Sequence, residues 1–419
     1  MKYPELSFGN KNHAWMAISF GDAFEFLNNK AISRSQLNYD EGEVKSVHYG
    51  DILTKFPQVL DSAYPSLPYV NDEIDVSKVS LLKTGDVAIA DTAEDYMVGK
   101  AIEISISDDS QLIAGLHVMA CRPKINFAPG FLGYYLNSNA FHVQLRKLVT
   151  GTKVFAINKS EIRKTKLSFP ELEEQQKIAA FFTALDKKIK LVEDKLSKTH
   201  LLFEALVEKV LDEKLTFSDA ICGSLPWQKI VLKDICKKIS YGINAPAGEY
   251  NECWKYIRIT DIDDRTHKFT QPSPVSADVD HDQKLLTKYK VRTGDLLFAR
   301  TGASVGKSYH YDQRDGNLVF AGFLIRCSLD LNKCNSYFIY LQTLTKRYSN
   351  WVKENSMRSG QPGLNSEQYG NFELFLPSLG EQEKIASFFK TFDEKLCNLS
   401  LQLEVLKKQK QAFMQQMFV

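Results

Sequence analysis

The chain has few of the features that mark catalytic or membrane-spanning proteins. Its seven cysteines (Cys121, Cys222, Cys236, Cys253, Cys327, Cys334 and Cys397) are scattered, odd in number and form no Cys-x-x-Cys pair. That excludes a zinc site or disulfide framework by spacing and points to a reduced, cytoplasmic protein with buried thiols. No apolar run approaches the ~18 residues of a bilayer span, and the start, MKYPELSFGNKNH, lacks the apolar core of a secretory signal. The eight histidines follow no metalloprotease pattern, and no amino-methyltransferase tetrapeptide, helicase motif pair or nuclease motif is present. Charge of one sign is also missing: 53 Lys and Arg face 51 Asp and Glu, a formal +2. A near-neutral chain does not coat nucleic acid by bulk electrostatics, so any such surface must arise from local clustering. One cluster is Leu145 to Lys166, where Arg146, Lys147, Lys153, Lys159, Arg163, Lys164 and Lys166 face the single acid Glu161.

What the chain does have is a long-period repeat. Leu167 to Ile189 (LSFPELEEQQKIAAFFTALDKKI) recurs as Leu374 to Leu396 (LFLPSLGEQEKIASFFKTFDEKL), 207 residues later, with 12 of 23 positions identical. Alternate steps of four and three from Ile178 reach Phe182, Leu185, Ile189, Val192 and Leu196. The same steps from Ile385 reach Phe389, Phe392, Leu396, Leu399 and Leu403. Sustained apolar spacing of this kind, with charge between, predicts a coiled-coil seam. Each helix of roughly 38 residues would be about 57 Å long. Pro170 and Pro377 block helix upstream, and Glu173–Glu174 and Glu381–Glu383 suit the positive end of a helix dipole. Two matched seams can cover one another, and an antiparallel pairing is expected because a globular segment separates them.

The preceding segments echo each other more faintly. Trp15, Ile18, Phe20 and Asp22 match Trp227, Ile230, Leu232 and Asp234, and LLKTGDVAIA (81–90) matches YKVRTGDLLFA (289–299). Val98-Gly99-Lys100 matches Val305-Gly306-Lys307, Ala114-Gly115-Leu116 matches Ala321-Gly322-Phe323, and Ile157-Asn158 matches Leu364-Asn365. Short apolar runs bounded by Gly and Asp predict strands with tight turns, while Phe131–Leu148 and Tyr337–Val352 read as helices. The fold class expected is mixed α/β. It comprises two pseudo-repeated globular modules separated by two long helices that form an antiparallel coiled coil. Gly302 to Ser308 is one residue short of a phosphate-binding P-loop and reads as a structural turn with an exposed lysine. Asp261, Asp263 and Asp264 lack the later acid of a calcium loop and read as a solvated turn.

These landmarks carry a resemblance. The chain is similar over essentially its full length to type I restriction–modification specificity subunits. The residues that carry it are the two LSFPELEEQQKIAAFF-type segments, the Thr-Gly-Asp and Val-Gly-Lys blocks, and the YIRITD run at 256–261. The first half departs from the pattern: Asp91-Thr92-Ala93 stands where the second has Arg300-Thr301-Gly302, and Gly85 to Gly99 is two residues longer than Gly294 to Gly306. A role assigned to Arg300 therefore does not carry over.

The resemblance implies target recognition domains at 1–170 and 214–377, and conserved helices at 171–213 and 378–419. It implies a non-catalytic subunit that reads a bipartite DNA site with one domain per half, the helices setting the spacer. The implied partners are double-stranded DNA, two methyltransferase subunits and two restriction/motor subunits. No cofactor is expected on this chain; S-adenosylmethionine, ATP and magnesium would belong to the partners. Candidate DNA contacts are Lys124, Arg146, Lys153 and Asn158 in the first domain, and Arg300, Thr301, Ser304, Lys307, Arg358 and Gln361 in the second. Methyltransferase contacts would use Lys177, Lys188, Lys384 and Lys395 on the outer helix faces. The competing reading is a structural scaffold that binds proteins without reading DNA.

Overall fold

In a computed structural model, residues 4–9, 15–95, 97–151, 153–211, 227–279, 283–357 and 360–419 are described. The chain forms two compact units: residues 1–194 with 401–419, and residues 195–400. Each unit thus contains one globular module, the first half of the long helix that follows it and the second half of the other long helix.

Both modules are built on the same antiparallel strand order. In the first, strands Phe24–Phe26, Val118–Pro123, Val87–Ala90, Ala101–Ser105 and Val59–Asp61 lie side by side in that order. In the second the order is Cys236–Tyr241, Leu324–Leu329, Asp295–Ala299 and Ser308–His310. The first module adds the Val59–Asp61 strand, parallel to Ala101–Ser105. Each also carries a short parallel pair: Val44–Val47 with Gln111–Ala114, and Lys255–Ile257 with Leu318–Phe320. The central Val87–Ala90 and Asp295–Ala299 strands are buried at every position, as their short apolar runs require.

The shared Thr-Gly-Asp turn enters the central strand. Gly85 and Gly294 hold φ of 88° and 90°, a conformation that favours glycine. The following aspartates are buried and fasten the turn: Asp86 accepts the Lys83 N–H at 2.8 Å, and Asp295 accepts the Arg292 N–H at 2.9 Å. On the neighbouring strand Arg122 donates two hydrogen bonds to Asp86, at 2.9 and 2.7 Å. Arg326 lies 3.8 Å from Asp295.

The stretches read as single helices are each two. Phe131–Tyr135 and Asn139–Arg146 are separated by Ser138, whose hydroxyl accepts the Phe141 N–H. Ser336–Gln342 and Lys346–Ser356 are separated by Thr345, which accepts the Tyr348 N–H. Both capping residues sit at the same repeat position, so an internal N-cap overrides the continuous apolar pattern.

The long helices span Leu172–Leu211 and Leu379–Met417. In the first unit they run antiparallel: Phe181 meets Phe413, Phe182 stacks on Phe418, Asp186 pairs with Lys410 at 2.6 Å and Glu193 with Lys407 at 2.7 Å. In the second unit Phe203 packs on Phe389 and Phe392. Of the seam positions, Ile178, Phe182, Ile189, Val192, Ile385, Phe389 and Leu399 are buried, while Leu185, Leu196, Phe392, Leu396 and Leu403 are half-buried. The stripe serves two partners. Ile178 and Phe182 share a core with Phe131, Tyr134 and Phe169 of the module as well as with Phe418. Ile385 and Phe389 likewise share a core with Tyr337, Phe338 and Leu374 as well as Phe203.

A buried glutamine fastens each module to the start of its helix. Gln175 donates from Nε2 to Pro170 O at 2.8 Å and accepts the Ala128 N–H at 3.0 Å. Gln382 donates to Pro377 O at 3.0 Å and accepts the Asn335 N–H at 2.9 Å. Each residue in this arrangement lies 207 positions from its counterpart. Among the described residues no helix is long and apolar enough to cross a membrane.

Candidate nucleic-acid interface

The second module gathers Arg300, Thr301 and Gln361 at one surface. The backbone arranges this: Arg300 N–H donates to Phe323 O at 3.0 Å, Leu364 N–H to Arg300 O at 2.9 Å, and Gly302 N–H to Pro362 O at 3.0 Å. Gly302 has φ of 73°, and a Cβ there would stand 2.9 Å from Gln361 Nε2. The positive φ favours glycine here, and Gln361 lies against the side a side chain would otherwise fill. The Arg300 guanidinium lies 4.8 Å from the ring centre of Tyr241, and Phe323 beside it is 60% exposed. An arginine held over an aromatic ring with a second ring in water can hydrogen-bond a base edge or stack on one. Motif reading missed Tyr241 and Phe323. The Ala-Gly-Phe match at 321–323 was the available signal for the latter.

The first module repeats this backbone with the opposite charge. Asp91 N–H donates to His117 O at 3.1 Å and Ile157 N–H to Asp91 O at 2.9 Å, so Asp91 stands where Arg300 does. Its carboxylate accepts from Thr92 Oγ1 at 2.8 Å and lies 3.2 Å from His117 Nδ1. His117 packs edge-on against Tyr49, which lies against His48. Arg34 donates to Tyr39 and Asp51 and approaches His48. Burial, then the charge of Arg34, lower the His48 pKa. One scaffold thus presents a cation and rings in one module, and a carboxylate with imidazoles in the other. These first-module residues were not among the sequence candidates.

The remaining candidates fare differently. Lys124 is exposed but donates to Gly21 O at 2.8 Å, and Lys153 is exposed in the turn before Phe155–Ala156. Arg146, exposed at the end of its helix, lines a cavity in the first unit. Asn158 is an N-cap whose Oδ1 accepts the Glu161 N–H at 2.9 Å, and Asn365 does the same for Gln368 at 2.8 Å. The matched Ile157-Asn158 and Leu364-Asn365 pairs are therefore helix starts, and capping occupies the Asn158 oxygen that base reading would need.

Ser304 and Lys307 line a cavity of about 1090 Å³ in the second unit. The Lys307 ammonium is enclosed by Ile262 O, at 2.9 Å, and the Asp264 carboxylate, so the turn's lysine is not exposed as expected. Lys100 makes the equivalent bond to Leu53 O at 2.9 Å. The acidic run is a solvated turn at Asp264, as its spacing suggested, but not at Asp261. Asp261 is buried against Arg258, and Asp263 accepts from Arg265 N–H and Thr266 N–H. Arg358 lies outside the described residues. Within the basic stretch, Lys159 and Arg163 converge on the ring of Phe26, at 5.6 and 4.7 Å. Lys177, Lys188, Lys384 and Lys395 are all exposed. Among the described residues no group of three or more His, Cys, Asp or Glu could hold a metal ion.

Comparison with known proteins bears on both modules. The family model of the type I restriction modification DNA specificity domain matches twice, at residues 12–199 and 225–407. A putative type I restriction enzyme MjaX specificity subunit of Methanocaldococcus jannaschii is 27% identical over 207 residues, covering 48% of this chain and 48% of its own. The type I restriction enzyme EcoBI specificity subunit of Escherichia coli is 22% identical over 277 residues, 61% of this chain and 55% of its own. The chain thus spans about half the length of these relatives. The S subunit of a type I restriction–modification system from M. genitalium has the same fold, with a TM-score of 0.59 at 14% identity over 100% of this chain and 99% of that one. Two matched domains on two modules of one strand order place the chain in the type I restriction modification DNA specificity domain family.

Proposed function

We propose that the chain is the non-catalytic DNA-reading subunit of a type I restriction–modification complex, each module reading one half of a bipartite site. The observation that carries this is the pair of family matches falling on two modules that share a scaffold but display opposite charge at Arg300 and Asp91. Duplicated readers of one sequence would keep that residue. Readers of two half-sites would change it, because a cation favours the acceptor-rich edge of guanine and a carboxylate favours the amino group of cytosine. The long helices set the number of unread base pairs between the halves. Two methyltransferase subunits dock on their outer faces, supply S-adenosylmethionine and modify adenine. Two restriction/motor subunits supply ATP-driven, magnesium-dependent cleavage, and the complex works in the cytoplasm.

Genome-wide mapping of N6-methyladenine tests this, with the chain and its neighbouring methyltransferase co-expressed in a methylation-free host. A split motif with a fixed gap, absent without this chain, is expected. A stable complex that leaves no new methylation would refute DNA reading and favour a scaffold.

A further inference from the structure

Each unit holds a cleft between its module and the second half of a long helix, and the two clefts occupy repeat-equivalent positions. The first, of about 540 Å³, is lined by Lys100, Arg146, Lys407 and Lys410 with His142 and several side-chain amides, and among the described residues by no carboxylate. Moved by 207 residues, Lys100 becomes Lys307, Arg146 becomes Lys353, Lys407 becomes His200, Lys410 becomes Phe203 and Gln411 becomes Glu204, all of which line the second cleft. The second lining has six Lys or Arg and six Asp or Glu, with Lys268–Asp393, Lys307–Asp264 and Arg314–Asp312 paired. It neutralises itself; the first does not. There, Lys407 pairs with Glu193 and Lys410 with Asp186, leaving four cations against two carboxylates. Lys100 donates only to a backbone carbonyl, and its pKa is lowered by burial and then by the charge of Lys410. His142, pushed down to about 4 by burial and by Arg146, is neutral at pH 7 and adds no further charge.

Concentrating like charge around an open cavity costs free energy that an anion recovers. We infer that the first-unit cleft is a phosphate-binding site, and that its occupant is a backbone phosphodiester of DNA held against the first module. Arg146 supplies a planar fork and the lysines supply point charges, the usual pairing for phosphate. This rests on the DNA-reading function proposed above. A phosphate contact positions without specifying sequence, so the cleft would anchor the first module while the Asp91 surface reads bases. Among the described residues the second unit has no equivalent anchor at this place.

The test is fluorescence-anisotropy titration of the full chain with a duplex carrying its mapped site, across a salt series. Arg146→Gln with Lys407→Gln, both at exposed side chains, is compared with wild type and with Lys190→Gln plus Lys408→Gln, exposed helix lysines outside the cleft. The slope of log affinity against log salt should fall by about 0.9 for each phosphate that the variant no longer neutralises, with sequence preference and melting temperature unchanged. The control pair should keep the wild-type slope. An unchanged slope in the cleft variant overturns the assignment of the cleft to DNA, even if wild type discriminates sequence. A wild type without sequence preference refutes the reading function, while the slope difference still reports on the cleft. Pyrophosphate distinguishes the source: if it raises the wild-type melting temperature but the duplex slope does not change between variants, the ligand is a free phosphate compound and the DNA assignment fails. A wild type that binds no duplex overturns both.

Discussion

Replacing Gln382 by alanine should loosen the second module from the helix that follows it. The side chain is 1% exposed and holds two backbone groups, the Asn335 N–H at 2.9 Å and the Pro377 carbonyl at 3.0 Å. Asn335 in turn caps the helix Ser336–Gln342, accepting the Tyr337 and Phe338 N–H groups at 3.1 Å each. Truncation forfeits two hydrogen bonds of about 1 kcal/mol each and strands two buried polar groups. Allowing partial relaxation or entry of water, the loss is about 2–4 kcal/mol. Two units need not unfold together, so for this junction a local probe reports more directly than a global melt. Amide hydrogen exchange across residues 336–342 reads the local opening directly, and 2–4 kcal/mol corresponds to roughly 30- to 1,000-fold faster exchange. Gln382→Met keeps the volume and removes the hydrogen bonds, so it should behave nearly as badly as alanine. If methionine were silent, packing and not the polar latch would hold the junction, and the reasoning would be wrong.

Five further outcomes are expected. Asn158→Ala and Asn365→Ala should each cost about 1 kcal/mol of local stability, and Asn158→Ser should restore it. A serine variant of normal stability that loses one half-site would show reading beyond the cap. Arg300→Ala should weaken one half-site by about 1–3 kcal/mol and relax its sequence in the methylation map, leaving the other half intact. Glu103 is buried on the Ala101–Ser105 strand, accepting the Gly130 and Gly133 N–H groups; burial pushes its pKa up to about 7 despite those donors. The folded state thus holds a proton that the unfolded chain releases near 4.5. Stability should fall by about 3 kcal/mol as pH rises from roughly 4.5 to 7, and Glu103→Gln should flatten melting temperatures over that window. At the repeat-equivalent position His310, buried and pushed down to about 4, should act oppositely, losing stability as pH falls from 6.5 towards 4. Four residues inserted after Val192 lengthen one helix by ~6 Å. That should change the methylated spacer but neither half-site, and changed half-sites would refute the ruler.

Much of the architecture was legible because it is written in local pattern. The heptads from Ile178 and Ile385, the prolines before them and the Thr-Gly-Asp turns each state a backbone preference within a few residues. The internal caps Ser138 and Thr345 were legible in principle but were hidden inside continuous apolar spacing. The division of the apolar stripe between module and partner helix was not legible, since both are apolar surfaces and periodicity does not say which one a leucine meets. Nor was the role of Asn158. An asparagine before Lys-Ser-Glu suits a cap or a base contact equally until its oxygen is found on the Glu161 N–H.

The sequence alone determined that two related modules alternate with two long amphipathic helices, because repetition and periodicity survive without knowledge of contacts. Tertiary structure alone decided that Arg300 lies against Tyr241 while Asp91 lies against His117, and that Gln175 and Gln382 fasten modules to helices. It alone brought Lys100, Arg146, Lys407 and Lys410 around a single cleft. Lys100 and Lys407 are some 300 residues apart in the chain. Their charges add only because folding sets them within a few ångströms of the same cavity, and no local signal records that meeting.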